Sequence, residues 1–286
     1  MRIAHISDLH FGSFSLSPLQ FFSKRWLGNF NFLLKRKKNF DYKRLPSLID
    51  LFKNEGVTHV IITGDLSVTS RKNEFRKGQR FVKALENAGF QVYTLPGNHD
   101  QYTRRSENKK NFYNYFASRF DEKCPLSLRE DRVTYVQLKK SLWLVILDTA
   151  IATSFTSAQG HFSTEVRESL EKALQAIPTS DTVIMVNHFP LFDQEPTNKE
   201  LIGAEFLKKM LKRAPHVLMY LHGHTHRPSI ADLRPNQLPI VSDTGCTVYK
   251  KYGGCHLLTI RDTGVTLDVF SYNAAWKKHQ THEFAR

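Results

Sequence analysis

Five short segments of the chain combine side chains that commonly bind metal ions in proteins. Imidazole and carboxylate ligands together favour Mn, Fe or Zn over Ca or Mg alone. Three glycines within these segments permit tight turns where the backbone must come close to a metal or a phosphate. The segments are Asp8-Leu9-His10, Gly64-Asp65, Gly97-Asn98-His99-Asp100, Asn187-His188 and Gly223-His224-Thr225-His226.

Each segment ends or follows a short apolar run that we predict to be a β-strand. Near-continuous apolar strands of this kind are typical of a sheet that is covered on both faces. Because the carboxyl ends of neighbouring strands open on one crevice, ligands that are far apart in sequence can meet there. The runs are Arg2 to Asp8, His59 to Asp65, Gln91 to Asn98, Trp143 to Asp148, Asp181 to His188, and His216 to His222.

Stretches with helical spacing alternate with these strands, and a β-rich region follows them. We predict an α/β fold with two stacked sheets flanked by helices, folded as a single domain over residues 1–286. The predicted helices are Leu45 to Glu55, Asn73 to Asn87, Asn108 to Phe120, Thr164 to Ala176, with its N-cap at Ser163 or Thr164, and Leu201 to Arg213. The last strands are Leu238 to Ser242, His256 to Ile260 and Val265 to Ser271, with a hairpin turn at Asp262-Thr263-Gly264.

Composition indicates the kind of partner. The formal charge of +14 and the pI of about 9.7 predict a negatively charged partner, such as a nucleic acid, an anionic membrane or a phosphorylated substrate. Three cysteines without paired short spacing argue against a disulfide framework and predict a reducing, cytoplasmic environment. No apolar run approaches the ~20 residues that span a bilayer, and the first strand leaves no room for a signal peptide.

The ordered motifs D-x-H, G-D, G-N-H-D, H and G-H-x-H resemble those of the calcineurin-like metallophosphoesterases. The resemblance implies a four-layer α-β-β-α sandwich of two mixed β-sheets flanked by helices. It also implies two divalent metal ions, Mn²⁺ foremost, with Fe or Zn as alternatives. Carried over by position, the first ion is bound by Asp8, His10 and His226, the second by Asn98, His188 and His224, and Asp65 bridges both.

By the same resemblance, the chain is a hydrolase of phosphate esters or anhydrides. Two bound ions activate a water and neutralise charge on the phosphoryl group. His99 is then expected to face the substrate, where it stabilises the transition state or protonates the leaving oxygen. Asp100 is expected to orient the His99 ring.

The remaining histidines have a structural or surface interpretation. His161 is a candidate for a residue that contacts the metal ligands rather than the metal itself. Asp148 resembles a strand-end residue of the family that does not bind metal. The histidines that we interpret as structural or surface residues are His5, His59, His216, His222, His256, His279 and His282.

An insert at about residues 18–44 follows the first motif. Its apolar residues recur at intervals of three and four among several basic residues, which predicts an amphipathic helix at the membrane interface and at the mouth of the site. A helix whose apolar side packs on its own domain is the alternative. The insert residues predicted to contact membrane or substrate are Phe22, Lys24, Arg25, Trp26, Phe30 and Leu33.

The insert sequence Phe-Phe-Ser-Lys-Arg-Trp-Leu-Gly-Asn resembles that of membrane-associated UDP-2,3-diacylglucosamine pyrophosphatases of the lipid A pathway. This resemblance implies a lipid-linked nucleotide substrate, the products lipid X and UMP, and a peripheral position on the inner face of the cytoplasmic membrane. It implies no obligate protein partner.

Three other functions remain open from the sequence. One is a phosphodiesterase acting on cyclic nucleotides or small phosphodiesters. Another is a nuclease, for which a basic run could contact phosphates: Arg71, Lys72, Arg76, Lys77 and Arg80. The third is a non-catalytic scaffold, which retention of every expected ligand and of His99 disfavours.

Overall fold

The computed structural model describes residues 1–13, 38–154, 156–192 and 197–285. The described α-helices are α1 (Arg44–Asn54), α2 (Lys72–Asn87), α3 (Arg104–Asn108), α4 (Thr164–Gln175) and α5 (Ala204–Lys212). The first strands are β1 (Arg2–Ile6), β2 (His59–Ile62), β3 (Gln91–Thr94), β4 (Val133–Lys139), β5 (Leu142–Leu147), β6 (Gly160–His161) and β7 (Thr182–Val186). The others are β8 (Leu201–Ile202), β9 (Val217–His222), β10 (Ser229–Asp232), β11 (Ile240–Asp243), β12 (Gly254–Arg261), β13 (Gly264–Asn273) and β14 (Ala275–Ala285).

Two six-stranded sheets form the centre of the fold. The first, here called sheet A, has the strand order β14-β13-β12-β1-β2-β3, and the second, sheet B, has the order β10-β11-β9-β7-β5-β4. Both are mixed, since β1, β2 and β3 run parallel while β12 is antiparallel to β1, and β5, β7 and β9 run parallel while β4 is antiparallel to β5. The predicted α/β fold of two mixed sheets flanked by helices is therefore confirmed.

Three clusters of buried apolar side chains hold the layers together. The central cluster packs sheet A on sheet B and includes Ile61, Leu258, Leu144 and Met219. A second cluster lies between sheet A and helices α1 and α2, and a third lies between sheet B and helices α4 and α5. Burial of apolar surface on both faces of each sheet explains why the central strands lack an alternating pattern.

Two predicted helices are wrong in extent. Residues 108–120 form the end of α3 and a separate 3₁₀ turn at Asn111–Asn114, because Lys110 takes a left-handed backbone conformation. Residues 201–213 start with the short strand β8 rather than with a helix, and α5 begins only after Gly203, whose φ is +85°. The predicted N-cap of α4 is confirmed at Ser163, whose side chain accepts a hydrogen bond from the Val166 amide.

The structure adds three strands of four residues or more that the sequence interpretation missed: β4, β10 and β14. β14 is formed by the C-terminal stretch and pairs along its length with β13. None of the described helices is long and apolar enough to cross a membrane. The predicted insert residues, from Phe22 to Leu33, lie outside the described part of the chain.

Candidate metal centre

All seven predicted ligand residues lie in loops at the carboxyl ends of parallel strands. Sheet A contributes four of them, because Asp8 and His10 follow β1, Asp65 follows β2 and Asn98 follows β3. Sheet B contributes the other three: His188 follows β7, and His224 and His226 follow β9. The ligand-type side chains of the two sheets therefore meet across the top of the sandwich.

Three hydrogen-bond acceptors face one another at the predicted second metal position. Asn98 Oδ1 lies 3.2 Å from His188 Nε2 and 3.0 Å from His224 Nδ1, and the two ring nitrogens are 3.3 Å apart. The other nitrogen of each ring points at a backbone carbonyl, His188 Nδ1 at Thr63 O (2.7 Å) and His224 Nε2 at Lys199 O (2.9 Å). Because those carbonyls require the proton, each ring directs a lone pair at the cluster.

Burial keeps these two rings neutral. It lowers the pKa of His188 and brings the pKa of His224 well below its ordinary value of 6.5. Three lone pairs within 3.3 Å of one another repel unless a cation lies between them. The second position therefore fits a metal ion on the chemistry of its donors.

The predicted first metal position is formed by two carboxylates and two imidazoles. Asp8 Oδ1 lies 3.1 Å from His226 Nε2 and 3.6 Å from His10 Nε2, and the two imidazole nitrogens are 2.9 Å apart. The possible ligand atoms of Asp8, His10, Asp65 and His226 all lie within 4.8 Å of one another. Burial alone would raise the pKa of Asp8, but the adjacent imidazoles, His226 foremost, bring it below its ordinary value, so the carboxylate is ionised.

Asp65 lies between the two positions. Its Oδ2 is 3.8 Å from His10 Nε2 and 3.6 Å from His188 Nε2, while its Oδ1 accepts a hydrogen bond from the His99 amide at 2.8 Å. One carboxylate oxygen thus reaches ligand nitrogens of both clusters. This is the placement that a bridging ligand requires.

The backbone at the site has an unusual conformation. Five of the ligand-type residues have a positive φ, which non-glycine residues seldom adopt: Asp8, His10, Asp65, His224 and His226. Gly97 and Gly223 permit the close approach, since a Cβ atom on either would collide with the carboxylate of Asp65 or of Asp8, respectively. The loops are therefore shaped around the ligand atoms at a cost in backbone energy.

His99 lies beside the first position. Its ring packs edge-on against His10 with ring centroids 4.9 Å apart, and its Nδ1 lies 2.6 Å from the carbonyl oxygen of Val68. That carbonyl accepts the Nδ1 proton and holds the ring in place. The ring also stacks on Tyr102.

The expected orientation of His99 by Asp100 is corrected by the structure. The Asp100 carboxylate accepts hydrogen bonds from the amides of Leu66, Ser67 and Gly97 and from the Ser67 hydroxyl, at 2.7–3.1 Å. Burial raises the pKa of Asp100 to about 6. Asp100 thus fastens the loop that carries Asp65 to the loop that carries Asn98, and Val68 orients the His99 ring.

Residues near the two ends of the insert have different partners, the first motif at one end and α2 with its N-cap residue at the other. Phe40 stacks on the His10 ring with an angle of 2° between the rings, and the Tyr42 hydroxyl donates to the His10 carbonyl at 2.5 Å. At the other end, Lys77 donates to the carbonyl of Gly12 and Arg71 to that of Ser13. The sequence interpretation missed Phe40 and Tyr42, whose only sequence signal was their position just before a predicted helix.

Cys246 is a further residue that the sequence interpretation missed. Its thiol donates to the Asp8 carbonyl at 3.0 Å, and its Sγ lies within 4.8 Å of the possible ligand atoms of His10 and His226. A cysteine that has no second cysteine at short spacing gives no sequence signal for a place beside a metal site.

The other singled-out residues lie away from the ligand atoms. His5 and His256 are buried between the sheets, and His161 is exposed on β6. Asp148 accepts hydrogen bonds from Tyr113 and Arg132, at 2.6 and 3.1 Å. These contacts agree with the structural interpretation of Asp148.

The donor arrangement at both positions fits a pair of divalent cations bridged by a carboxylate. When bound, such ions activate a water and neutralise phosphoryl charge. The His99 imidazole lies next to the ligand-type residue His10 and is held by the Val68 carbonyl. Fold and site together define a dinuclear metal hydrolase.

Comparisons with known proteins identify the family. Residues 1–228 match the family described as calcineurin-like phosphoesterase (Metallophos), so the chain belongs to that family and is a metal-dependent hydrolase. In a sequence comparison, none of the curated proteins matches the chain.

Solved structures share the fold. A structure titled as a dimetal phosphatase from Danio rerio is 13% identical in sequence, covers 99% of this chain and 98% of its own, and has a TM-score of 0.67. The purple acid phosphatase PPD1 from yellow lupin (Lupinus luteus) seeds is 15% identical, covers 100% of this chain and has a TM-score of 0.65. This chain spans 53% of the lupin protein's length.

Proposed function

We propose that this chain cleaves the pyrophosphate bond of UDP-2,3-diacylglucosamine to give lipid X and UMP. The observation that carries the proposal is the insert sequence that follows the first metal motif, together with the place where the insert joins the metal centre. The ions are proposed to be Mn²⁺. The proposed location is the inner face of the cytoplasmic membrane, to which the protein would bind peripherally.

The ends of the insert support a role for it at the reaction site. Ser13 is three residues beyond His10, where its amide donates to Glu74, and Phe40 packs directly on the ligand-type residue His10. The chain therefore leaves and re-enters the described structure beside the first metal position. An amphipathic insert that starts and ends there is well placed to receive a lipid-linked substrate.

A surface of described residues also supports contact with an anionic membrane. Phe192, Ile202 and Phe206 are three of the four large apolar side chains that the described surface leaves exposed, at 41%, 41% and 52%. Lys208 lies over the Phe192 ring, and Arg167 and Lys209 lie near the Phe206 ring. We call these three apolar residues with their basic neighbours the α5 surface.

The α5 surface is next to the second metal position. Phe192 is four residues beyond His188, and the carbonyl of Lys199, just before β8, accepts a hydrogen bond from His224. Exposed apolar side chains rimmed by cations suit the headgroup region of an anionic bilayer. An enzyme whose substrate is anchored in that bilayer would gain from such a surface beside its reacting groups.

The basic run on α2 offers less support for a nuclease. Arg71 and Lys77 donate to backbone carbonyls of the loop after His10, so two of its five cations already have a structural partner. A nucleic-acid groove requires cations that are available for phosphates.

The proposed reaction fits the residues of the site. Water adds to one phosphorus while the bridging oxygen leaves with the other phosphate, and that oxygen requires a proton. His99 is the residue proposed to supply that proton. Asp65 accepts a hydrogen bond from the His99 amide, and Asp100 accepts hydrogen bonds from the amides of Leu66 and Ser67, so the two ligand loops are held together beside the His99 ring.

The test is hydrolysis by purified protein loaded with Mn²⁺. UDP-2,3-diacylglucosamine in detergent, bis-p-nitrophenyl phosphate and cyclic nucleotides are supplied separately, and products are measured by mass spectrometry. We expect UMP and lipid X from the first substrate and little turnover of the others. Equal turnover of all three would indicate a general phosphodiesterase, and turnover of DNA with steep salt dependence would indicate a nuclease.

A further inference from the structure

A cavity of about 570 Å³ lies between β10, the edge strand of sheet B, and the strands β12, β13 and β14 of sheet A. Residues of these four strands supply most of its walls. Its volume lies within the range of ~300–1,000 Å³ typical of small-molecule sites. None of the seven predicted metal ligands lines it, so the cavity is separate from the metal centre.

His256 of β12 places one ring nitrogen in this cavity. The side chain is 1% exposed, and its Nδ1 lies 2.8 Å from the Ser242 hydroxyl oxygen. Its Nε2 has no hydrogen-bond partner in the described part of the chain, yet this atom is not closed off from solvent. Because the residue lines the cavity, Nε2 meets solvent there.

The hydrogen bond of Ser242 determines which nitrogen of the His256 ring carries the proton. Burial lowers the pKa of His256 to about 3, so the ring is neutral and has one N–H group. The buried Ser242 hydroxyl has a hydrogen to donate, and His256 Nδ1 is its one acceptor among the described residues. The hydroxyl therefore donates to Nδ1, and the ring proton is on Nε2. The cavity thus contains a fixed N–H donor that requires an acceptor.

The charges around the cavity favour an anionic acceptor. The lining includes Lys251 and three histidines, which are His256, His279 and His282. Among the described residues that line the cavity, none is an aspartate or a glutamate. An N–H donor and a lysine without a competing carboxylate in the same wall suit a charged oxygen atom.

Other parts of the wall suit an apolar body. Ile230, Val269 and Phe270 line the cavity, and each also packs against an apolar cluster of the core. Covering such side chains with an apolar group removes their surface from water, which is favourable. A small inorganic anion would leave that part of the wall wet.

We propose that this cavity binds an amphiphilic anion, whose charged oxygen accepts the hydrogen bond of His256 Nε2 and whose apolar chain covers Ile230, Val269 and Phe270. A medium-chain fatty acid is the simplest ligand of this class. The site does not depend on the substrate proposed for the metal centre, so either proposal can fail without the other.

The test measures binding of octanoate to the Mn²⁺-loaded protein by calorimetry. Inorganic phosphate is present in excess, so that phosphate rather than octanoate occupies the metal centre. Octylamine has the same apolar chain with a cation in place of the acceptor, and it should bind at least about tenfold more weakly than octanoate. Octyl phosphate is the second anionic probe, and the tighter of the two anions identifies the preferred charged group.

Two changes at His256 test the donor. His256→Leu removes the N–H group and should raise the Kd of octanoate at least about tenfold. His256→Gln retains an N–H donor, so its Kd should rise less than that of His256→Leu. Circular dichroism of both variants shows whether the fold is intact.

A charge reversal tests the cavity without a change in the core. Lys251→Glu, at an exposed position, should raise the Kd of octanoate about threefold. Lys140→Glu is the matched control, because it lies in the turn between β4 and β5 at the opposite edge of sheet B, and it should leave the Kd unchanged.

Three results would overturn the site. One is an octanoate titration that does not saturate, which would show that the cavity holds only water. Another is octylamine binding as tight as that of octanoate. The third is an octanoate affinity that neither His256→Leu nor Lys251→Glu changes, and if His256→Leu does not fold, the comparison of Lys251→Glu with Lys140→Glu decides alone.

Discussion

The His99 ring is held mainly by residues outside the predicted ligand set, and its ring contact with a ligand-type residue is the edge-on one with His10. Its ring is fixed by the Val68 carbonyl and by Tyr102, and none of these residues belongs to the predicted ligand set. His99→Ala should therefore lower turnover by about 10²–10⁴-fold, the usual range for loss of a proton donor, while metal content stays the same. Steady-state kinetics and elemental analysis of the same preparation check both parts.

Asp65→Asn provides the contrasting variant. The Asp65 carboxylate lies between both clusters, and an amide lacks the charge that a bridging ligand supplies. Elemental analysis should show less than two ions per chain in this variant. Full metal content in Asp65→Asn, or full turnover in His99→Ala, would contradict the roles proposed for these residues.

His256 should make the fold sensitive to acid. The side chain is buried between the sheets, where it contacts the Ser242 hydroxyl at 2.8 Å, and burial lowers its pKa to about 3. Below its ordinary pKa of 6.5 the unfolded chain binds a proton that the folded chain does not. The free energy of unfolding should thus fall as pH is lowered, by about 2 kcal/mol from this residue between about pH 6.5 and pH 5.

His256→Gln retains a polar partner for Ser242 and removes the titration. Urea unfolding in a chelator at about pH 7.5 and about pH 5 should show a smaller loss of stability in the variant than in the unaltered chain. An identical loss in both proteins would show that other groups account for the acid sensitivity.

At the scale of elements, the α5 surface combines Phe206 of α5 with Ile202 of β8 and Phe192 of the loop after β7. Replacing Ile202 and Phe206 with Ser should weaken binding to vesicles that contain anionic lipid by at least about tenfold, since each apolar side chain contributes ~1.5–3 kcal/mol when buried. Sedimentation with vesicles measures the change. Unaltered circular dichroism would show that the fold is intact.

Tyr252→Ser is the matched control for this surface. Tyr252 is the fourth large apolar side chain that is exposed on the described surface, and it lies in a turn where its ring stacks on Tyr249. If Tyr252→Ser weakened vesicle binding as much as the changes at Ile202 and Phe206, the assignment of membrane contact to the α5 surface would be contradicted. Replacing Trp26 and Phe30 with Ser tests the insert in the same assay.

The positions of the strands were largely predictable, and the ends of the strands were not. The apolar runs identified the central strands, since a buried parallel strand requires apolar side chains on both faces. The predicted strand from His59 to Asp65 ends at Ile62, because Gly64 and Asp65 turn into the loop with positive φ. Ligand-type residues follow strands rather than belong to them, and residue type alone does not mark that boundary.

Other elements had no clear sequence signal. β14 is rich in charged and polar residues, as an edge strand facing water can be, and it lacks the apolar pattern that identifies a strand. The segment after Lys110 contains closely spaced aromatic residues that suggested a long helix, but Phe112 and Phe116 pack into the core beside α2 from a 3₁₀ turn and the loop after it. Tertiary packing decided that conformation.

For the site, the sequence motifs predicted which residues would meet, and the structure places all seven together. The motifs did not predict the supporting contacts. The Val68 and Lys199 carbonyls and the Phe40 ring support the site through their positions in the fold. The types of these residues do not predict those positions.

At the scale of the whole molecule, the metal centre joins the two sheets. Four ligand-type residues come from sheet A and three from sheet B. Ions bound only by the folded chain should stabilise it by about 2.7 kcal/mol at a metal concentration 100-fold above the Kd, so chelation should lower the Tm by several degrees. Thermal unfolding with and without a chelator measures the shift.

Two variants complete this experiment. Asp65→Asn should show a smaller shift on chelation than the unaltered chain, while His279→Ala, on the exposed edge strand β14, should show the same shift. A Tm that is indifferent to Mn²⁺ in the unaltered chain would contradict a metal centre shared by the sheets.

The separation of the ligands along the chain has a consequence for how the protein is made. Asp8 and His226 contact each other across 218 residues. At a synthesis rate of ~5–20 residues per second, about 10–40 s pass at the ribosome between the emergence of the first residue and that of the second. A nascent chain that stops before His226 lacks part of the first position, so complete loading of that position must follow the synthesis of residues 8–226, and until then Asp8 and His10 are without their full set of partner ligands.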